Sequence, residues 1–206
     1  VIPSSSRLSL NGAFIIAHPD CTPEKAGNAE IRLSSTAAQS ARCVCAYIEA
    51  CSGMGESTTD EVFSGRCAIF ENGGLLAEAG AFSEKELLPA QIDLDLLSQR
   101  RLSSGLFGQA EKAGVITFDA FVECREITRD MPKDPFMPFG GDKADKFCSD
   151  ILTMQAAALK KRFEHTRSQK AVIGISGGLD STLTLLALCK AFDMMGKPRA
   201  DITAGT

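Results

Sequence analysis

One short segment restricts the fold more than any other. Gly174-Ile175-Ser176-Gly177-Gly178-Leu179-Asp180-Ser181-Thr182 joins a compact β-prone run, Lys170 to Ile175, to a helical pattern, Leu179 to Met195. Gly196 and Pro198 stop that helix, and a second β-prone run follows from Ala200 to Gly205. A long helical pattern from Lys143 to His165 precedes the loop. Helix, strand, glycine loop, helix and strand in this order begin a doubly wound α/β sheet. Gly177 and Gly178 carry no side chain, so backbone N–H groups approach an anion closely there. The helix start adds unpaired N–H groups and the positive end of its dipole, and Ser176, Ser181 and Thr182 add hydroxyls. Together they form a phosphate cradle. The GxxxxGK[ST] spacing and its Lys are missing, as is GxGxxG. Asp180 beside an anion site repels phosphate unless Mg²⁺ intervenes, so Asp180 is the expected metal ligand.

The chain before this segment reads differently. Ala13 to Ala17 is a short buried-strand pattern, and His18 to Asn28 reads as a Pro-containing loop. Ala29 to Arg42 is expected to be a helix and Cys43 to Ala50 a strand. Val62-Phe63 and Cys67 to Phe70 suggest paired strands, with a tight turn at Asn72-Gly73. Ala90 to Arg101 is expected as an amphipathic helix, with Ile92, Leu96 and Leu97 on one face. Gly114 to Ile127 alternates like a strand or two. Pro132, Pro135, Pro138 and Gly140-Gly141 mark a linker. The expected division is a first domain over 1–108, a linker region over 109–142 and a second domain over 143–206.

Composition closes off several classes. A net charge of −4 gives no bulk electrostatic case for nucleic acid or an anionic membrane. No apolar run approaches the ~20 residues of a membrane span. The eight cysteines form no CxxC pair and only two His accompany them, so zinc and haem are poorly supported. Scattered cysteines without a secretory signal suggest reduced thiols and a cytoplasmic protein. Val1 is not Met and the chain stops in a β-prone run, so both ends read as cut.

Ser176 to Ser181, SGGLDS, resembles the signature of the PP-loop ATP pyrophosphatases. The longer run Ala171 to Leu188, with Met194 to Ile202 after it, resembles the glutamine-dependent NAD⁺ synthetases within that group. Gln39 to Arg42, Gly55 to Asp60 and Glu71-Asn72-Gly73 resemble the glutaminase domain of the same enzymes, which has the nitrilase (carbon–nitrogen hydrolase) fold. Pro135-Phe136-Met137-Pro138 is similar to their passage into the synthetase domain. The implied fold is α/β: part of a nitrilase-like α-β-β-α sandwich, then the start of a PP-loop, Rossmann-like doubly wound domain.

The resemblance implies ATP on Gly174, Ile175, Ser176, Gly177, Gly178, Leu179, Asp180 and Ser181, with Mg²⁺ on Asp180. It implies glutamine and deamido-NAD⁺ as further substrates, ATP-dependent amidation through an adenylate, and a homo-oligomer at full length. A nitrilase site uses a Cys nucleophile with a Glu base and a Lys. The resemblance puts that Cys just upstream of Val1, so no catalytic glutaminase residue is expected in this chain and the chain alone is expected to be inactive. Cys21, with His18 nearby, falls too late in the pattern, in a loop that helps bind glutamine. Thr22 falls where a Ser contacts glutamine, and Asn28 where a basic residue contacts the substrate. Thr22 keeps the hydroxyl, whereas Asn28 loses the charge. His18-Pro19-Asp20 departs from the usual Asn-Leu-Ser-like run. Two other readings stay open: another PP-loop amidotransferase-type ligase, or a non-catalytic nucleotide-binding module.

Overall fold

Apolar strands separated by helix-forming stretches build two units, residues 1–129 and 130–206. The computed structural model describes residues 3–107, 114–119, 126–131, 133, 136 and 141–205. The architecture is mixed α/β, as the sequence implies.

In the first unit the order is α1 (Ser4–Leu10), β1 (Ile15–Asp20), α2 (Ala29–Cys43), β2 (Ala46–Cys51), β3 (Cys67–Glu71), β4 (Gly74–Ala79) and α3 (Leu94–Ser104). The four strands form one sheet in the order β1-β2-β3-β4. β1 runs parallel to β2, while β2–β3 and β3–β4 are antiparallel. Ile16, Cys43, Cys45 and Tyr47 form a buried cluster between strand and helix.

Several boundaries differ from the sequence reading. β1 continues through His18, Pro19 and Asp20, where a loop was expected. The strand lies at the sheet edge, where a proline's missing N–H costs no ladder hydrogen bond. Val62 and Phe63 form no strand. The Ser57 hydroxyl accepts the Phe63 N–H at 3.0 Å, and β3 pairs with β2 and β4 instead. α3 starts at Leu94 rather than Ala90, because the Asp93 carboxylate caps it by accepting the Leu96 N–H at 2.8 Å. Ile92 therefore lies outside the helix, and Leu97 is its fully buried apolar residue.

The Asn72-Gly73 turn is present, with φ of 48° and 86° at the two positions. A Cβ on Gly73 would lie 3.0 Å from the Ala41 Cβ, so the hairpin sits tightly on α2. Residues 114–119 and 126–127 take no strand, and residues 120–125 of that expected strand lie outside the described residues. Most of the expected linker, including Pro132, Pro135, Pro138 and Gly140, also lies outside them.

The second unit contains α4 (Gly141–Thr166), β5 (Ala171–Gly174), α5 (Leu179–Met194) and β6 (Ile202–Gly205). β5 and β6 are parallel neighbours, with α5 as the crossover. Ala171, Leu188 and Phe192 form the core, and Leu159, Phe163 and Ile202 pack against it. Phe163 and Phe192 meet edge to face at 5.3 Å. Along β5 the period of two puts Ala171 inward and Val172 outward, the latter 84% exposed.

Candidate functional site

The first unit holds a cavity of about 460 Å³ around Arg101 and another of about 630 Å³ along α2. The larger one brings together both residues expected to meet glutamine. Thr22 follows β1, Asn28 precedes α2, and both line its wall with His18, Asp20, Arg32, Tyr47 and Glu49. Asn28 stands at the helix N-cap but is already helical, and its side chain makes no capping bond.

Glu49 is a carboxylate inside an otherwise apolar strand, and burying it requires a cation. Arg32, on the facing side of α2, supplies that cation. Its Nη2 donates to Glu49 Oε1 at 2.9 Å, to Cys51 Sγ at 2.9 Å and to Asp20 Oδ2. Thr36 Oγ1 donates to the other Glu49 oxygen at 3.0 Å. The three side chains are only 14% (Arg32), 17% (Asp20) and 8% (Glu49) exposed. Asp20 Oδ1 accepts from both the hydroxyl and the N–H of Thr22, at 2.7 and 3.2 Å. Burial alone would raise the Asp20 carboxyl. The Thr22 and Arg32 hydrogen bonds and the Arg32 charge outweigh it and hold the group below its ordinary range.

Asp20, Glu49 and Cys51 place their ligand atoms within 4.8 Å of one another, a spacing that could suit a metal ion. The Arg32 guanidinium already sits among all three, so this chain supplies its own cation there. Burial pushes the Cys51 thiol up to about 11 and the Cys45 thiol to about 12. Neither is an activated nucleophile. Cys21 is exposed, and its sulfur accepts the Ser52 hydroxyl at 3.2 Å. Two hydroxyls of the Glu56 to Asp60 segment are used internally. Ser57 holds Phe63, and Thr58 Oγ1 accepts the N–H groups of Asp60 and Glu61 at 3.3 and 3.1 Å.

In the second unit the glycine loop lies between β5 and α5. Ile175 N–H donates to Gly205 O at 2.7 Å, so the loop leaves the sheet at the carboxyl ends of both strands. Gly177 has φ 84°, a left-handed conformation that favours glycine. Apart from the adjacent residues of the chain, no described atom lies within 4 Å of where a Cβ would stand on Gly174 or Gly177. The loop is therefore open at these two positions. Gly178 is the extended N-cap of α5, and its carbonyl accepts from Ser181 Oγ at 3.1 Å and Thr182 Oγ1 at 2.9 Å. Ser176 and Ser181 approach each other at 3.4 Å. Asp180 is exposed in the first turn of α5, and no described residue holds its carboxylate.

Sequence reading alone missed the Asp20–Arg32–Glu49 cluster. Its one trace in the sequence is a glutamate among apolar strand residues. Arg101 was also missed. It is 6% exposed, donates to the carbonyls of Val44, Ala13 and Cys43 and to Ser9 Oγ, and lies 4.1 Å from the Phe14 ring centre.

The two sites define an α/β chain with a polar cavity in one unit and an open glycine loop at a helix start in the other. Over its whole length the chain is similar to glutamine-dependent NAD⁺ synthetases, as its motifs imply. It is 35% identical to that of Mycobacterium leprae, across all of this chain and 32% of the relative. It is also 35% identical to that of Mycobacterium tuberculosis, across 98% of this chain and 32% of the relative. The chain thus spans about a third of the length of the curated relatives it matches. No family model matches. Among solved structures, the synthetase of Acinetobacter baumannii in complex with ADP overlaps at TM-score 0.38 and 18% identity, covering 96% of this chain and 29% of that one. A carbon–nitrogen hydrolase of Helicobacter pylori overlaps at 0.40 and 19%, covering 51% and 41%.

Proposed function

We propose that this chain is part of a glutamine-hydrolysing NAD⁺ synthetase, a ligase that amidates deamido-NAD⁺ with ammonia drawn from glutamine. The observation that carries the reading is 35% identity to such synthetases along the entire chain, through both units. In this reading residues 1–108 are the C-terminal part of a nitrilase-like glutaminase domain. Residues 109–142 link it to the N-terminal part of a PP-loop synthetase domain, 143–206. Thr22 and Asn28 face glutamine, and the loop Gly174 to Ser181 takes the pyrophosphate of ATP.

The chemistry follows from the groups. The nicotinate carboxylate of deamido-NAD⁺ is a poor electrophile. Its oxygen attacks the α-phosphorus of ATP, pyrophosphate leaves, ammonia attacks the acyl adenylate, and AMP leaves with NAD⁺ formed. Backbone N–H groups at Gly177, Gly178 and the start of α5 bind the departing pyrophosphate, and the Ser176 and Ser181 hydroxyls orient it. Asp180 and phosphate oxygens would hold Mg²⁺, which neutralises charge on the leaving group when bound. The open cradle and the free first-turn carboxylate fit that ion.

Cys51 has the Asp20 and Glu49 carboxylates beside it, but Arg32 engages both and burial holds the thiol up at about 11, so in this reading the chain by itself releases no ammonia from glutamine. Assembly as a homo-oligomer in the cytoplasm completes the reading. Seven described cysteines are unpaired, which suits a reducing compartment, and no described helix is long and apolar enough to cross a membrane.

The test supplies deamido-NAD⁺, ATP, Mg²⁺ and glutamine or ammonium to the complete protein that carries this chain. NAD⁺ and AMP form in equal amounts. Product from xanthylate or aspartate, with none from deamido-NAD⁺, would replace this reading with another ligase of the same ATP chemistry.

A further inference from the structure

Asp20 uses both carboxylate oxygens within the protein, Oδ2 on Arg32 and Oδ1 on Thr22. The Thr22 hydroxyl has one proton, and Asp20 takes it at 2.7 Å. Towards the cavity Thr22 Oγ1 therefore only accepts. The charges agree with that polarity. One guanidinium, Arg32, faces two carboxylates, Asp20 and Glu49, and the neighbouring Cys51 thiol is neutral at physiological pH. The corner is left with one net negative charge. Arg42 lines the same cavity, ten residues beyond Arg32 on α2. At 1.5 Å per residue it lies roughly 15 Å along the helix, beyond the Debye length of about 8 Å. His18 and Tyr47, the other titratable groups on the wall, meet edge-on at 5.7 Å. Asn28 adds a neutral amide rather than a second cation.

We propose that Asp20 makes this cavity selective for an amide that carries an amine. The ligand's ammonium donates to Thr22 Oγ1, and the negative corner formed by Asp20 and Glu49 holds its charge. The cavity thus selects an α-amino acid amide over its des-amino analogue. Asp20 acts as a positioning residue, through Thr22. The inference rests on the reading of this cavity as the glutamine end of the enzyme.

The test is titration calorimetry of the complete protein that carries this chain, without ATP or deamido-NAD⁺, with L-glutamine and with glutaramate, which keeps the carboxamide and carboxylate but lacks the amine. Glutamine binds at least about tenfold more tightly, the worth of one charge-assisted hydrogen bond. In Thr22→Val, which leaves the Arg32 cluster intact, the preference falls to within about twofold while glutaramate affinity holds. Asp20→Asn, checked for folding by circular dichroism, also lowers the preference. Structural damage alone would weaken both ligands together and leave their ratio unchanged. Equal affinity of the unaltered protein for the two ligands overturns this proposal and leaves the amide-site reading standing. Binding of neither ligand overturns both. An unchanged ratio in both variants removes Asp20 and Thr22 from the selection.

Discussion

The two candidate sites are built in opposite ways. The α2 cavity is framed by buried ions: Glu49 is 8% exposed, and Arg32 bonds to three partners from two strands. The glycine loop is exposed along Ser176 to Asp180, and its polar contacts close within a few residues. The first site therefore depends on tertiary packing for its charge state. The second depends mainly on backbone geometry and on a helix start. A substitution in the first unit should couple stability to recognition, whereas one in the loop should separate them.

The largest effect should come from Arg101→Met in the first unit. It would leave the carbonyls of Val44, Ala13 and Cys43 without their buried donor. Urea unfolding should register a loss of at least about 3 kcal/mol. A change below 1 kcal/mol would mean that water replaces the guanidinium there, and the contrast between the units would weaken.

In the loop, Asp180→Asn should leave unfolding within about 0.5 kcal/mol of the original, because no described residue pairs with that carboxylate. In the complete enzyme it should lower ATP–pyrophosphate exchange by about 100-fold, the loss of a metal ligand worth several kcal/mol. Near-normal exchange would remove Asp180 from the metal site.

Asn28→Arg adds a cation beside the α2 N-terminus to a wall that already carries Arg32 and Arg42. In the complete enzyme the KM for glutamine should fall roughly tenfold, with ammonia-dependent turnover unchanged. An unchanged KM would mean that the loop from His18 onward seats its ligand by other groups.

The smallest effect is a pH dependence confined to the first unit. Asp20 titrates below its ordinary value in the folded protein, so its contribution is present above the unfolded carboxyl range, near pH 4. That contribution is lost as pH falls through the lower folded value. Urea midpoints between pH 5 and 2.5 should therefore drop less steeply in Asp20→Asn than in the original protein. Parallel slopes would show that Asp20 has no net stake in the cluster.

The local signals in the sequence were dependable where chain geometry alone decides. Asn72-Gly73 specified a hairpin with two positive φ values, and Gly177 a left-handed turn ahead of α5. Gly196 ended that helix at φ 65°. The α3 boundary moved because a cap at Asp93 outranked an apolar spacing. β1 lengthened because an edge strand tolerates Pro19.

The sequence by itself determined the glycine-rich strand-to-helix junction, since its groups lie within nine consecutive positions and local chain geometry fixes their arrangement. It also determined the resemblance to the synthetases, which lies in contiguous motifs. Only the tertiary structure decided the partners of Asp20, Glu49 and Arg101. Arg32 reaches Glu49 across 17 positions and Arg101 reaches Ser9 across 92. Nothing local selects such pairs. They form because burying a charge without a partner costs more free energy than the folded protein can spare, and packing α2 and α3 on the sheet supplies the partners.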